Sequence, residues 1–163
     1  MDDAVGRIQD QWRRQRPDLD VSSVGVVGRV LRLTALLKQV NETALAEDGV
    51  SGAEFEVLSA LRRAGGGLRP SELTRETLSS GAATTKRLTR LESLGLISRA
   101  TSARDRREVD VRLTEEGYEL IDRLFPEQVV RERGVLDALT EDELARLGAL
   151  LAKALAGAER ALG

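Results

Sequence analysis

Residues 68–113 read LRPSELTRETLSSGAATTKRLTRLESLGLISRATSARDRREVDVRL, and their pattern predicts a short helix, a sharp turn and a second helix over about 80–94. Leu88 and Leu91 lie on one face of the second helix at helical spacing. The opposite face carries short polar side chains and cations without aliphatic cover. These residues are Thr85, Lys86, Thr89 and Arg90. The pattern therefore predicts a helix that packs on the protein core on one side only.

Two alternating strands follow this helix and form a hairpin around a charged loop. Leu96 and Ile97 enter the first strand, residues 101–107 form the tip, and apolar residues alternate with charges over 109–113. Leu68 is a candidate one-residue strand that completes the sheet. An α-helix fits the major groove of B-DNA, and a basic hairpin beside it can straddle the phosphates. The predicted fold is mainly α with a small β-hairpin wing, a winged helix-turn-helix.

Positive charge is concentrated in this segment. Residues 80–112 contain eight Lys or Arg and four Asp or Glu, a balance of +4, although the whole chain has a net charge of −2. Basic residues on a single exposed helix face are usually only solvated surface. A cationic segment within an acidic protein, however, is the electrostatic signature of a polyanion site.

The composition argues against several classes of function. The 163 residues include no Cys and no His, so thiolate nucleophiles, the usual zinc and haem ligands and the commonest general base are missing. No apolar run is long enough to span a membrane, and the N-terminus does not resemble an export signal. The acidic pairs 115–116 and 142–143 lie at predicted helix starts, where the helix dipole explains them. We expect a cytoplasmic protein that is not an enzyme and has no cofactor or metal.

Capping motifs mark several helix starts. Ser51 with Glu54, and Thr140 with Glu143, have the spacing of a capping box, in which the N-cap hydroxyl and the carboxylate three residues later each bond to the other's backbone N–H. An N-terminal helix is predicted over 4–16 and carries the only Trp of the chain. From spacing alone, a packing role for that Trp is more economical than a ligand contact.

Apolar helices are predicted on both sides of the winged segment. Residues 21–46 present an apolar surface that is too broad for contact with one neighbour. The C-terminal helix is rich in Leu and Ala at helical spacing, and pairing with a second copy would cover both surfaces. Pro126 is a candidate kink in the helix after the wing. We expect an N-terminal helix and a long dimerisation helix (1–48), a DNA-binding lobe (49–113) and C-terminal dimerisation helices (114–163), within one compact domain.

This order of elements resembles the MarR family of bacterial dimeric winged-helix regulators, and the resemblance covers nearly the whole chain. It rests on the motifs SSGAATTKRLTRLESLGLISR (79–99), ARDRR (103–107) and RLTEEG (112–117). The wing is the strongest of these motifs, because Asp-x-Arg followed by a strand and Leu-Thr-x-x-Gly is rarely seen elsewhere. The resemblance implies a homodimer that binds a palindromic operator in double-stranded DNA.

The resemblance also implies a set of DNA-binding residues. In such proteins a wing Arg enters the minor groove, where the potential of a narrow groove is most negative, and an Asp two residues earlier holds it. Here these residues would be Arg107 and Asp105, with Arg106 on a phosphate. The recognition helix would offer Ser80, Thr84, Thr85, Lys86 and Arg90 to bases and backbone.

The N-terminal helix with its Trp, followed by RPDLD (16–20), resembles the branch of this family that responds to urate and related small anions. That resemblance places a ligand site at Trp12, Glu56, Arg87 and Arg99. Two guanidinium groups would bind a planar anion on which the indole stacks, while the carboxylate senses its charge. Arg87 could instead be another DNA-facing cation, but it lies nearer the buried face than Lys86. Glu56 stands where the branch has Asp, so the expected effector is a small organic anion, urate-like or a polycarboxylate.

The expected mechanism is repression that a ligand relieves. One recognition helix of a dimer would enter each of two major grooves about one helical turn apart. An anion bound between the DNA-reading lobe and the helical dimer body would change the spacing or angle of the two helices, provided it binds the two geometries with different affinity. An alternative is a helical protein-interaction module whose winged domain binds protein and selects no DNA sequence. That alternative predicts no basic focus on the wing.

Overall fold

The computed structural model describes residues 3–101 and 109–162, so the tip of the predicted hairpin lies outside the described residues. Within this part the chain forms seven α-helices and one two-stranded antiparallel sheet. The helices are α1 (Ala4–Gln15), α2 (Ser22–Leu45), α3 (Gly52–Ala64), α4 (Pro70–Glu76), α5 (Gly81–Ser93), α6 (Glu115–Val135) and α7 (Glu141–Leu162), and the strands are β1 (Ile97–Thr101) and β2 (Val109–Leu113). A 3-10 turn, Ala46–Asp48, follows α2. The predicted fold class is confirmed.

The two predicted capping boxes are present. At the start of α3, Glu54 Oε2 accepts the backbone N–H of Ser51 at 2.8 Å, and Ser51 Oγ accepts the N–H of Glu54 at 3.3 Å. At the start of α7, Thr140 and Glu143 make the same reciprocal bonds at 2.9 and 3.3 Å. Helix α6 continues through Pro126, so the candidate kink does not end the helix. Local side-chain chemistry therefore sets these helix starts, as predicted.

Asp3 fastens the N-terminal helix to the long helix. Its carboxylate accepts the backbone N–H of Gly6 at 2.6 Å and the Arg29 guanidinium at 2.8 Å. The pKa of Asp3 lies below its ordinary value, mainly because of the hydrogen bond from the Gly6 N–H and secondly because of the Arg29 guanidinium. One side chain thus caps α1 and pairs with α2.

Met1–Leu124 and Phe125–Gly163 form two compact units. In the first unit, α3 contacts α2, α4, α5 and β2, and its buried face supplies the centre of the apolar core. The most deeply buried core side chains are those of Leu45, Val57, Leu58, Leu61, Leu73, Leu88, Leu91, Val111, Ile121 and Leu124. In the second unit, α7 carries the exposed side chains of Leu150, Leu151 and Leu155. Among the described residues, no helix is both long and apolar enough to cross a membrane.

Candidate nucleic-acid interface

Helices α4 and α5 are joined by a turn that hydroxyl groups hold together. The hydroxyl of Ser79 lies 2.7 Å from that of Thr84 and 3.0 Å from that of Thr77. The hydroxyl of Thr74 donates to Thr84 Oγ1 at 3.0 Å. These short side chains form hydrogen bonds with one another inside the fold. The hydrogen bonds set the direction of α5, so the turn needs no large apolar side chain.

Leu78 lies in this turn with a left-handed backbone. Its φ is 46°, and it is 95% exposed. This region is unfavourable for Leu, because the Cβ atom approaches the following carbonyl oxygen. The strained residue lies two positions before Ser80, the N-cap of α5. Strain of this kind persists only where the surrounding structure imposes it, and here the hydroxyl contacts do so.

Helix α5 has one buried face and one polar face. Leu88 and Leu91 are 1% and 0% exposed, which confirms the predicted apolar stripe. Ser80 caps the helix by accepting a backbone N–H at 3.3 Å. Thr85 and Lys86 are exposed on the other side. A helix held by one face and polar on the other can be placed in the major groove without losing its core contacts.

Thr84 is one of the residues expected to contact DNA, and the structure buries its side chain. It is only 1% exposed, and its hydroxyl also bonds to the Ser80 carbonyl at 3.2 Å. The side chain is therefore part of the interior of the turn and is not presented on the polar face. Its hydrogen bonds help to fix the start of α5.

Arg90 is exposed, but its guanidinium is engaged within the protein. Nε lies 3.0 Å from Glu54 Oε1, and an Nη atom donates to the Gly49 carbonyl at 3.1 Å. Arg90 is expected to contact bases or backbone of DNA; in this structure its side chain reaches α3 and the loop before it. Glu42, Ala46, Val50 and Ser51 complete the lining of a cavity of about 380 Å³ beside this pair.

Glu54 is a site residue that the sequence analysis identified only as a helix cap. Its side chain is 6% exposed, so the carboxylate is buried between the Ser51 cap and Arg90. Glu54 precedes Leu58 and Leu61 by four and seven residues, which places it on the buried face of α3. A buried carboxylate requires a charged or hydrogen-bonding partner, and this signal could have indicated the pair.

The two predicted strands pair in an antiparallel hairpin that follows α5. Ile97 pairs with Leu113 and Arg99 pairs with Val111, while Leu68 forms the predicted bridge to Val111 through backbone bonds of 2.8 and 3.0 Å. The wing residues expected to contact DNA lie outside the described residues. They are Asp105, Arg106 and Arg107.

The four predicted effector residues lie on different elements of the first unit. Arg87 is half-buried whereas Lys86 is exposed, which confirms their relative placement. Arg99 pairs with Glu92 at 3.0 Å and donates to Thr89 at 3.3 Å, both on α5. Trp12 is 50% exposed on α1, and Glu56 is exposed on α3.

Neither of two cavities described in the first unit is lined by any of these four residues. The first is the cavity beside Arg90, and the second is an open cavity of about 530 Å³. Asp48, Gly49, Leu94, Leu96, Glu116, Glu119, Leu120 and Arg123 line the second cavity.

Comparisons with known proteins identify the family. A model described as MarR family matches residues 48–108. The chain is also 36% identical over 151 residues to HTH-type transcriptional regulator PecS of Dickeya dadantii strain 3937, with 91% of both chains covered. This chain belongs to the MarR family. It is a transcriptional regulator and not an enzyme. A second relative of this MarR protein is HTH-type transcriptional repressor MdtR of Bacillus subtilis strain 168, which is 32% identical over 136 residues, or 79% of this chain and 84% of the relative.

Two solved structures are similar to this MarR-family chain. A mutant MarR from E. coli complexed with operator DNA has a TM-score of 0.73 and 27% identity, covering 84% of this chain and 99% of that chain. BpsR of Bordetella bronchiseptica, whose DNA binding is regulated by 6-hydroxynicotinic acid, has a TM-score of 0.68 and 25% identity, covering 78% and 96%. The similarity extends over most of the chain, so it includes helices on both sides of the winged segment.

Proposed function

We propose that this MarR protein is a homodimeric repressor that binds a palindromic operator through α5 and is released from it by a small organic anion. The observation that carries the proposal is the exposed polar face of α5, with Thr85 and Lys86 opposite the buried Leu88 and Leu91. The E. coli MarR structure in complex with operator DNA supports the same use of this fold. The description of MdtR as a repressor supports the direction of control.

The proposed DNA contacts come from α5 and the wing. Ser80 and Thr85 can bond to phosphates or base edges, and Lys86 adds a cation to the polar face. Arg106 and Arg107 would contact a phosphate and the minor groove, with Asp105 holding Arg107.

The exposed apolar faces support a second copy of the chain as partner. Val26 and Leu31 on α2 are each 65% exposed, and in the second unit Val130 and Leu155 are also exposed. Soluble monomers rarely expose large contiguous apolar surfaces, and a homodimer would cover such faces. Two identical lobes would then read the two halves of a palindrome.

The proposed effector is a small planar or polycarboxylate anion held by Arg87 and Arg99, with Trp12 stacking on it and Glu56 beside it. Arg99 is already paired with the Glu92 carboxylate at 3.0 Å, so an anionic ligand would compete for a guanidinium that contacts α5. The acid that regulates BpsR, 6-hydroxynicotinic acid, is a planar aromatic carboxylate and supports this chemical class. Competition at Arg99 would couple the ligand to the position of the recognition helix.

The proposal is tested by selecting bound duplexes from random DNA and titrating the selected site by fluorescence anisotropy at several salt concentrations. Lys86→Ala should weaken binding and reduce the slope of log affinity against log salt by about 1.8, because each of the two protomers loses one phosphate-neutralising cation. Arg107→Ala should also weaken binding. Glu143→Gln, which changes a capping residue of α7, is the control and should bind as the wild type.

The effector is tested in the same assay by adding urate, citrate or 6-hydroxynicotinic acid. At least one of these anions should release DNA from the wild type, and Arg99→Gln should reduce that response. A protein that selects no sequence, or whose affinity does not depend on salt, would refute the DNA-binding function. Selective binding that none of the anions affects would refute only the effector.

A further inference from the structure

Arg90 lies on the exposed face of α5, but its guanidinium reaches across to α3. Its Nε atom is 3.0 Å from Glu54 Oε1, and its Nη atom donates to the Gly49 carbonyl at 3.1 Å. The guanidinium therefore joins α5 to both the first turn of α3 and the loop before it. The buried residues of α5 are Thr84, whose hydroxyl bonds to Thr74 and Ser79 near the start of the helix, and the apolar Leu88 and Leu91 further along it.

The Glu54 carboxylate is fixed independently of Arg90. Oε2 accepts the backbone N–H and the hydroxyl of Ser51, both at 2.8 Å, while Oε1 faces Arg90. Its side chain is 6% exposed, so the carboxylate cannot reorient into solvent without disrupting the α3 cap. A buried carboxylate costs free energy unless it is paired, and a guanidinium has a planar, directional set of donors.

We propose that Glu54 and Arg90 form a positioning pair that fixes the placement of α5 on α3, and that Glu54 is thereby a positioning residue for DNA reading. Apolar contacts are non-directional and tolerate small sliding, whereas two directed bonds from one guanidinium specify both distance and rotation. The inference rests on the proposed binding of DNA by α5. It assigns Arg90 to the geometry of the helix and not to a phosphate.

The alternative is that Arg90, whose side chain is 56% exposed, leaves Glu54 and binds a phosphate in the complex. The salt dependence of binding separates the two roles. Removing a phosphate contact from both protomers reduces the slope of log affinity against log salt by about 1.8, while loss of helix placement weakens binding without changing that slope.

The test uses Glu54→Gln, Arg90→Gln and the double variant in the full-length protein. Gln can replace Glu in a capping box, so Glu54→Gln retains the α3 cap and removes the ion pair. Glu143→Gln is the matched control, since its carboxylate also accepts the N–H and hydroxyl of its N-cap residue, at 2.9 Å each. Circular dichroism melting confirms that each variant is folded at the assay temperature. Anisotropy with the selected duplex then gives affinity and salt slope.

Each single variant should weaken DNA binding by about 3-fold to 30-fold. Because the two residues act as one unit, the affinity of the double variant should not fall below that of the single variant with the lower affinity. The salt slope of Arg90→Gln should equal that of the wild type, and Glu143→Gln should bind normally. Wild-type affinity in Glu54→Gln, or a slope reduced by about 1.8 in Arg90→Gln, would overturn the positioning role while leaving the DNA-binding function intact. A wild type that selects no duplex would overturn both.

Discussion

Gly117 lies where α6 packs closely against Leu96, in the segment that follows α5. It lies in the first turn of α6, and its N–H bonds to Thr114 Oγ1 at 3.1 Å. A Cβ atom at this position would lie 2.0 Å from the carbonyl oxygen of Leu96 and 3.2 Å from Leu113 Cδ2. That carbonyl is not free to move away, because it accepts the backbone N–H of Thr114 at 3.1 Å. We expect Gly117→Ala to destabilise the protein.

The magnitude follows from two opposing effects. Forcing an extra carbon into a packed site typically costs about 1–3 kcal/mol, and a clash with fixed backbone lies at the upper end of that range. Replacing Gly by Ala within a helix otherwise stabilises by about 0.5–1 kcal/mol. The net loss for Gly117→Ala should be about 2 kcal/mol. For a chain of this size, that loss corresponds to a fall of about 4–8 °C in the melting temperature.

The assay is thermal and urea unfolding followed by circular dichroism at one fixed protein concentration, because association would make the midpoints depend on concentration. Gly66→Ala is the matched control. A Cβ atom there meets no heavy atom within 4 Å, and the backbone is not left-handed. The control should be neutral or up to about 1 kcal/mol more stable. Equal midpoints for Gly117→Ala and the wild type, or an equal loss in both variants, would refute the packing argument.

Three further predictions concern α4, the turn after it and the start of α5. Leu78→Gly should raise the urea midpoint by the equivalent of about 0.5–1 kcal/mol, since relief of left-handed strain outweighs the added entropy of the unfolded chain, and a lower midpoint would contradict this. Thr84→Val should cost about 1–2 kcal/mol in the same assay, because it removes a buried hydroxyl that bonds to Thr74 and Ser79; wild-type stability would argue against the hydroxyl network. The Arg69 guanidinium and backbone N–H lower the pKa of Glu72 from 4.5 to about 2. A carboxyl group whose pKa is lowered by folding stabilises the protein at pH values above its ordinary pKa, and this stabilisation is lost as the pH falls towards the lowered pKa. The melting temperature should therefore decline between about pH 5 and pH 2, and it should decline less steeply in Glu72→Gln. An identical decline in the wild type and in Glu72→Gln would show that the Glu72 carboxyl does not cause this pH dependence.

The features that could be predicted from sequence are those set by neighbouring residues. The capping boxes at Ser51 and Thr140 need only a hydroxyl and a carboxylate three positions apart, and both are present. The apolar stripe of α5 follows from helical geometry, so Leu88 and Leu91 were placed correctly. The alternation of apolar and charged residues predicted the returning strand β2, in which Val111 is buried.

The destination of polar side chains was harder to predict. Thr84 lies four residues before Leu88, so spacing alone places it on the buried face, while the family resemblance assigned it to DNA. Its partners Thr74 and Ser79 are brought to it by the shape of the turn, which spacing does not specify. Arg90 is on the exposed face as expected, but a long side chain can reach a partner that the helix pattern does not reveal. That partner is 36 positions earlier, at Glu54.

A comparison of two capping residues shows where local sequence stops being informative. Glu54 and Glu143 each cap a helix, and each precedes Leu residues by four and seven positions. Yet Glu54 is buried against Arg90, whereas Glu143 is exposed on α7. The difference comes from what covers the apolar stripe, because α3 is surrounded by four other elements of its unit while Leu150 on α7 remains exposed. Burial, and with it the requirement for a charged partner, is therefore a tertiary property. The same four-residue signature, an N-cap hydroxyl, a carboxylate and two leucines, gives a buried, paired carboxylate in one helix and an exposed cap in the other.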